Sequence, residues 1–140
     1  MLFINVPSSS ENGTKYQVTT NSTIAHEFQH MINYNMRATN GVSEDLWVNE
    51  GLAQVAEDVC GYGYHTGANT GVINAFLGNF SSYSLLKHES PLASYGFDYL
   101  FVRYLIDRGV TPKDLLNTNL IGVANVEAVL NGKRISPYFI

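Results

Sequence analysis

Residues 26–30 read His-Glu-Phe-Gln-His, and this pattern constrains the fold more than any other part of the chain. Side chains four residues apart lie on one face of an α-helix, about one turn or ~6 Å from each other. His26 and His30 could therefore bind a single metal ion. Glu27 lies about 100° farther round the helix axis, where it could flank such an ion without binding it. Because the pattern fixes only three positions, an ordinary helix with two surface histidines is the alternative.

The residues around the motif favour the helix. Asn21, Ser22 and Thr23 are typical N-cap residues, and residues 20–39 contain neither glycine nor proline. Asn40-Gly41 then provides a helix stop, because both residues tolerate the left-handed conformation of a C-cap. The apolar residues that this helix is predicted to turn toward the core are Ile24, Phe28, Met31 and Ile32.

A third metal ligand is expected, because catalytic zinc usually binds three protein ligands and leaves one position for water. Glu50 is the best candidate, separated from His30 by nineteen residues. It lies in a second predicted helix, from about residue 44 to residue 60, for which Ser43 is a suitable cap. The predicted apolar stripe of this helix consists of Leu52, Val55, Ala56 and Val59.

Two residues on the predicted face of Glu50 could support a metal site. Gln54 and Glu57 follow Glu50 by four and seven residues, so either could accept a hydrogen bond from a ligand histidine. For Glu57 and for Asp58, the favoured alternative is a solvated helix face.

Two segments together resemble the gluzincins, which are zinc peptidases with a His-Glu-x-x-His pair and a distant glutamate ligand. They read Ala-His-Glu-Phe-Gln-His-Met-Ile-Asn-Tyr at 25–34 and Trp-Val-Asn-Glu-Gly-Leu-Ala at 47–53. The resemblance is greatest to the hyicolysin-like neutral metallopeptidases, with thermolysin and the zinc aminopeptidases more distant. It implies Zn²⁺ bound by His26, His30 and Glu50, with Glu27 as the general base for water that attacks a peptide bond.

The resemblance also implies a fold. It is an α+β, predominantly α, zincin-like metallopeptidase catalytic domain with a short N-terminal β element and a helical lobe. Leu2–Val6 and Lys15–Thr20 are the candidate strands, and further helices are predicted near residues 72–79, 95–108 and 125–130, with a short one starting at Thr111-Pro112. Gluzincins carry a fuller sheet ahead of the metal helix, so this chain is expected to be a fragment or a minimal version.

A tyrosine supplies a second candidate for catalysis. Residues 95–105 resemble the tyrosine-led helix that follows the ligands in the aminopeptidase branch, which implies that Tyr95 donates its phenolic proton to the developing oxyanion. The alternative is that Tyr95 packs at a helix start; for Tyr99 and Tyr104, a place in the core is the favoured interpretation. No glycine motif that anchors a substrate N-terminus is visible, so an endopeptidase is expected rather than an aminopeptidase.

Composition limits the remaining classes of function. The 140 residues are enough for one domain spanning 1–140, and the net charge of −4 argues against nucleic acid as a partner. No stretch approaches the ~18 consecutive apolar residues of a membrane span, and the first six residues lack the charged region of a signal peptide. The expected partner is a peptide or protein substrate. The resemblance implies a secreted, extracellular bacterial enzyme.

The single cysteine and the two other histidines are expected to have no part in the chemistry. Cys60 has no second cysteine with which to form a disulfide, and a buried structural thiol is the default interpretation. His65 and His88 lie in loop-like stretches and are interpreted as surface residues. The glycine-rich stretch 61–71 is either an ordinary loop or the rim of a substrate cleft.

Two other classes remain open from the sequence. One is a catalytically inactive zinc-binding module that binds peptides or partners. The other is a helical structural domain in which the two motif histidines are incidental.

Overall fold

A computed structural model describes residues 13–64, 67 and 69–134 of the chain. These residues form six α-helices: α1 (Gly13–Met36), α2 (Leu46–Val59), α3 (Thr70–Leu77), α4 (Pro91–Asp107), α5 (Pro112–Leu116) and α6 (Gly122–Gly132). The predominantly helical fold is thereby confirmed for the described residues. They contain no β-strand, so neither the β element of the predicted α+β class nor the zincin-like fold has support among them.

The prediction of a strand at Lys15–Thr20 is wrong, because this segment lies within α1. Helix propagation adds one hydrogen bond for each residue that joins, and no proline interrupts the segment. The motif helix therefore extends back to Gly13, well before the predicted caps at Asn21 to Thr23. The other candidate strand, Leu2–Val6, lies outside the described residues.

The core forms where α2 crosses α4, and a glycine permits the close crossing. A Cβ atom on Gly51 would lie 2.5 Å from Val102 Cγ2 and 2.6 Å from the carbonyl oxygen of Asp98. The helices α3, α5 and α6 add apolar side chains to this core. Its buried residues are Trp47, Val48, Leu52, Val55, Ile73, Tyr99, Val102, Leu105, Val110, Leu115, Leu116, Val126, Val129 and Leu130.

The predicted core face of α1 is largely wrong. Ile24, Phe28 and Met31 are 40%, 60% and 59% exposed, while Ile32 packs against the core from its edge. The buried face of α1 is polar instead and consists of Ser22, Gln29 and Asn33, and Arg37, which directly follows the helix, is buried as well. Helix α1 therefore faces α2 through hydrogen-bonding side chains, and the two motif histidines are among them.

Arg37 connects the end of α1 to residues 115–120, which lie around the end of α5. The Arg37 side chain is 1% exposed, and its guanidinium group lies 3.0 Å from a carboxylate oxygen of Glu44. The same group donates hydrogen bonds to three backbone carbonyl oxygens, those of Leu115 (2.7 Å), Thr118 (3.0 Å) and Leu120 (2.5 Å). Glu44 in turn accepts a hydrogen bond from the backbone N–H of Gly122 at 2.7 Å. These contacts hold α1 in place where the apolar core does not reach.

The remaining helices agree with the sequence in position and differ at their ends. Helix α4 begins at Pro91, so Tyr95 lies inside the helix rather than at its start. The predicted short helix at Thr111-Pro112 is confirmed as α5, with a reciprocal capping box between Thr111 and Asp114.

The interpretation of Cys60 as a buried thiol is wrong, since this residue is exposed. The predicted apolar stripe of α2 is buried at Leu52 and Val55 but is 73% exposed at Val59, because the helix has by then extended past the core. None of the described helices is both long and apolar enough to cross a membrane.

Candidate metal centre

Three side chains from two helices meet on the polar side of α1. His26 and His30 extend from α1 and Glu50 from α2, and potential ligand atoms of the three lie within 4.8 Å of one another. His26 Nε2 lies 3.2 Å from Glu50 Oε2, and His30 Nε2 lies 3.6 Å from Glu50 Oε1. The structure thus brings together the three residues that the sequence predicted as ligands.

The other ring nitrogen of each histidine has its own partner. His26 Nδ1 lies 2.8 Å from Glu57 Oε1, and His30 Nδ1 lies 3.2 Å from Asn49 Oδ1. An Nδ1–H group that donates to an oxygen leaves the lone pair of the same ring on Nε2. Both rings are therefore oriented so that their Nε2 atoms face the carboxylate of Glu50, where a metal ion that displaces the Nε2 protons could bind both.

These two oxygen acceptors are themselves held by neighbouring side chains. Ser22 donates a hydrogen bond to the second carboxylate oxygen of Glu57, and Asn33 donates one to the side-chain oxygen of Asn49. The solvated face predicted for Glu57 is wrong, because this residue is only 7% exposed and contacts His26 as the spacing argument allowed. Sequence reasoning missed Asn49 and Ser22; the position of Asn49 next to Glu50 was the only signal.

Gln54 and Asp58 do not reach the histidines. Gln54 is buried, and its side-chain oxygen has no hydrogen-bond partner among the described residues. Asp58 accepts hydrogen bonds from Tyr99 (3.3 Å) and Arg103 (3.1 Å), so it connects α2 to α4 rather than facing solvent alone. Tyr99 is 5% exposed, which confirms it as a core aromatic.

The electrostatics of the three residues favour a positive charge between them. Burial lowers the pKa of His26, but its contacts with Glu50 and Glu57 outweigh burial and raise that pKa to about 9. Contact with Glu50 also raises the pKa of His30. Burial raises the pKa of Glu50, but the two imidazoles outweigh it and hold that pKa at about 2. A metal ion must displace the imidazole protons, so its binding should weaken as the pH falls.

The donor set matches the requirements of zinc. Two imidazole nitrogens and one carboxylate form a common ligand set for catalytic zinc and leave a coordination position open. Glu50 is 8% exposed, and its two carboxylate oxygens lie 3.2 Å and 3.6 Å from the Nε2 atoms of His26 and His30. A buried carboxylate is costly unless positive charge lies beside it, and either the two imidazolium groups or a metal ion that replaces their protons supplies that charge. The residues present therefore fit the ion that the motif predicts.

Glu27 lies beside this centre and partly faces an open space. Together with His30 it lines a cavity of about 830 Å³, whose wall also includes Met31, Tyr34 and Asn49. The cavity has room for a peptide side chain next to the histidine pair. Glu27 thus shares a cavity with one of the three ligands, His30, and its role as general base stays a prediction.

Tyr95 lies on α4, three residues before Asp98, whose backbone contacts Gly51 next to Glu50. Burial raises the pKa of its phenol, and the negative charges of Glu50, Asp98 and Glu27 raise it further. The phenol therefore lies within electrostatic reach of both Glu50 and Glu27, and it keeps its proton at neutral pH.

His88 is not the surface histidine that the sequence indicated. Its side chain is 21% exposed, with Nδ1 3.5 Å from Asp98 Oδ2. Its ring meets that of Tyr95 edge to face, with centroids 5.1 Å apart. Burial raises the pKa of Asp98, and the charge of Glu50 adds to this and brings it to about 8. His65, the other histidine assigned to the surface, lies outside the described residues.

No protein-family model matches the chain. Neither a curated protein nor a solved structure shows significant similarity to it. The resemblance to the gluzincins consequently depends on the residues of the two motifs and on the place where the fold puts them.

Proposed function

We propose that the protein is a zinc-dependent endopeptidase that hydrolyses peptide or protein substrates. His26, His30 and Glu50 hold the zinc ion, and Glu27 is the general base. The observation that carries the proposal is the orientation of both imidazoles, whose Nε2 atoms lie 3.2 and 3.6 Å from the oxygens of Glu50. Their Nδ1 atoms face Glu57 and Asn49 instead. Two histidines on an ordinary helix surface do not require such an arrangement.

Glu27 is suited to the proton transfers of the reaction. Zinc, when bound, would act as a Lewis acid that polarises the substrate carbonyl group and lowers the pKa of water. Glu27 lines the cavity together with His30, so its carboxylate can accept a proton from the attacking water. It then returns that proton to the amine that leaves.

Tyr95 is proposed to stabilise the oxyanion that forms in the same reaction. Its phenol keeps its proton because burial and the charges of Glu50, Asp98 and Glu27 raise its pKa. A neutral O–H near a developing negative charge is a suitable donor, and such a donor is worth about 10²–10³-fold in rate.

The proposed substrate is a polypeptide chain rather than a free N-terminus. The described wall of the cavity combines apolar side chains such as Met31, Tyr34 and Val42 with the amide of Asn35. Of the two carboxylates in this wall, Glu44 is already paired with Arg37 at 3.0 Å and Glu27 is the proposed base, so neither is left to hold the amino group of a free N-terminus. An extracellular location belongs to the same proposal, because it rests on the same family resemblance.

Zinc binding is the first test. We expect the purified protein to bind one zinc ion and to unfold at a higher temperature with zinc, since zinc at 100 times its dissociation constant stabilises by about 2.7 kcal/mol. His26→Ala should abolish both effects, whereas Lys87→Ala, an exposed substitution, should leave them intact. Absence of zinc after purification from zinc-replete medium, with no thermal shift, would identify a helical domain with incidental histidines.

Peptide cleavage by a Glu27→Gln variant is the second test. The variant should bind zinc as the wild type does but cleave a peptide library about 10²–10⁴-fold more slowly, because general-base catalysis is lost. Undiminished turnover in this variant would contradict the role of Glu27. A wild-type protein that binds zinc without cleaving any peptide would instead be the inactive binding module.

A further inference from the structure

Asp98 is a buried carboxylate next to the metal centre that the proposed reaction does not use. It is 1% exposed, and its Oδ2 atom has no hydrogen-bond partner among the described residues. Its backbone lies against Gly51, the residue after Glu50. An unsatisfied carboxylate oxygen in the interior is costly, so this atom needs a donor within reach.

Among the described residues, His88 is placed to donate a hydrogen bond to the Oδ2 atom of Asp98. The 3.5 Å between His88 Nδ1 and Asp98 Oδ2 is slightly longer than a hydrogen bond and within ion-pair distance. One proton shared between the ring nitrogen and the carboxyl group would satisfy both. Contacts around catalytic groups are often long before substrate binds and shorten in the complex.

The same imidazole also contacts Tyr95. The two rings meet at 85°, edge to face, with centroids 5.1 Å apart, which is a favourable aromatic geometry. Tyr95 and Asp98 are three residues apart on α4 and so lie on the same face of that helix. A single loop residue thus contacts both the carboxylate of Asp98 and the phenol ring of Tyr95.

We propose that Asp98 and His88 are positioning residues for Tyr95: Asp98 holds the His88 ring, and that ring holds the phenol beside the centre formed by His26, His30 and Glu50. This inference rests on the proposed peptidase function. A tyrosine that is only partly buried has two side-chain torsions free, and a donor loses effectiveness when it samples other rotamers. Packing by an anchored ring removes that freedom before substrate arrives.

A double-mutant cycle with peptide substrate tests the proposal. Tyr95→Phe should lower kcat by about 10²–10³-fold. His88→Ala should lower kcat by roughly 10-fold with KM nearly unchanged, since the phenol remains but is no longer held. The double variant should be no slower than Tyr95→Phe alone, because His88 acts through Tyr95. Additive losses in the double variant would overturn the proposal.

Two further variants separate positioning from a general loss of structure. Asp98→Ala should resemble His88→Ala and should not add to it, while Asp98→Asn should retain most of the activity, since an amide can still hydrogen-bond to the ring. Lys87→Ala, in the same loop and exposed, is the matched control and should behave as the wild type. A loss in Asp98→Asn as large as in Asp98→Ala would contradict the role of the His88 contact.

An NMR experiment tests the arrangement without any need for turnover. With ¹³C-labelled tyrosine rings, the Tyr95 signal, assigned through Tyr95→Phe, should shift in His88→Ala and in Asp98→Ala but not in Lys87→Ala. An unchanged signal in Asp98→Ala would overturn the inference even in an active enzyme. A protein without peptidase activity in which these shifts occur would contradict the proposed function and leave the contacts established.

Discussion

At the scale of single residues, the centre depends on which partner each of the two ring nitrogens faces in His26 and in His30. Glu57 and Asn49 face the Nδ1 atoms at 2.8 and 3.2 Å, which leaves the Nε2 atoms of His26 and His30 for Glu50. The ligand types could be predicted from spacing along a helix. The partner of His30 could not, because Asn49 reaches it only through the angle at which α2 lies against α1.

Replacement of Glu57 tests whether the contact at Nδ1 orients the ring of His26 for metal binding. We expect Glu57→Ala to weaken zinc binding by about 10–100-fold, because His26 loses the acceptor that orients its ring. Titration against a fluorescent chelator measures the change. Glu57→Gln is the matched control, since its amide oxygen can still accept the Nδ1–H bond. Equal affinities for the alanine variant and the wild type would show that the contact does not matter.

At the scale of helices, the position of Glu50 depends on the glycine that follows it. Helices α2 and α4 touch at Gly51, where a Cβ atom would meet both Val102 and the backbone of Asp98. The sequence predicted a helix in this segment and the carboxylate of Glu50 on it. Nothing in the local pattern distinguishes a glycine at a helix crossing from one on a helix surface.

Gly51→Ala therefore separates packing from helix propensity. The variant should lose about 1–3 kcal/mol in the free energy of unfolding, because the added methyl group overpacks the crossing. Zinc affinity should fall with it as Glu50 is displaced. Gly71→Ala, in α3, is the control: a Cβ atom there meets nothing within 4 Å, so the gain in helix propensity should stabilise by about 0.5–1 kcal/mol. Denaturant unfolding measures both changes. If both variants were more stable than the wild type, a Cβ atom at residue 51 would not overpack the crossing.

At the scale of the whole molecule, a polar anchor holds the metal helix where the apolar core does not. The guanidinium group of Arg37 and the carboxylate of Glu44, whose side chains are 1% and 2% exposed, pair at 3.0 Å. Through Leu115 and Gly122, the pair connects the end of α1 to the chain around α5 and α6. Loss of one partner would leave the other charge buried.

Arg37→Ala should consequently destabilise the protein by about 3–5 kcal/mol, as expected when a buried ion pair is broken. Arg103→Ala offers the comparison, because the Arg103 side chain is 39% exposed and its ion pairs should contribute only ~0–1 kcal/mol. Chemical unfolding of both variants measures the difference. Similar losses for the two arginines would mean that the buried pair does not anchor α1.

The sequence by itself determined the helix with its two histidines, the glutamate on a second helix and the helical nature of the described chain, because each depends on local spacing. Only the tertiary structure decided which face of α1 is buried. Apolar periodicity favoured Ile24, Phe28 and Met31, but the hydrogen bonds of Ser22, Asn33 and Arg37 turned the polar face inward. The contact of His88 with Asp98 and Tyr95 is likewise tertiary, since it joins a loop to the side of α4. Local spacing carries no information about such contacts, which depend on how whole helices pack.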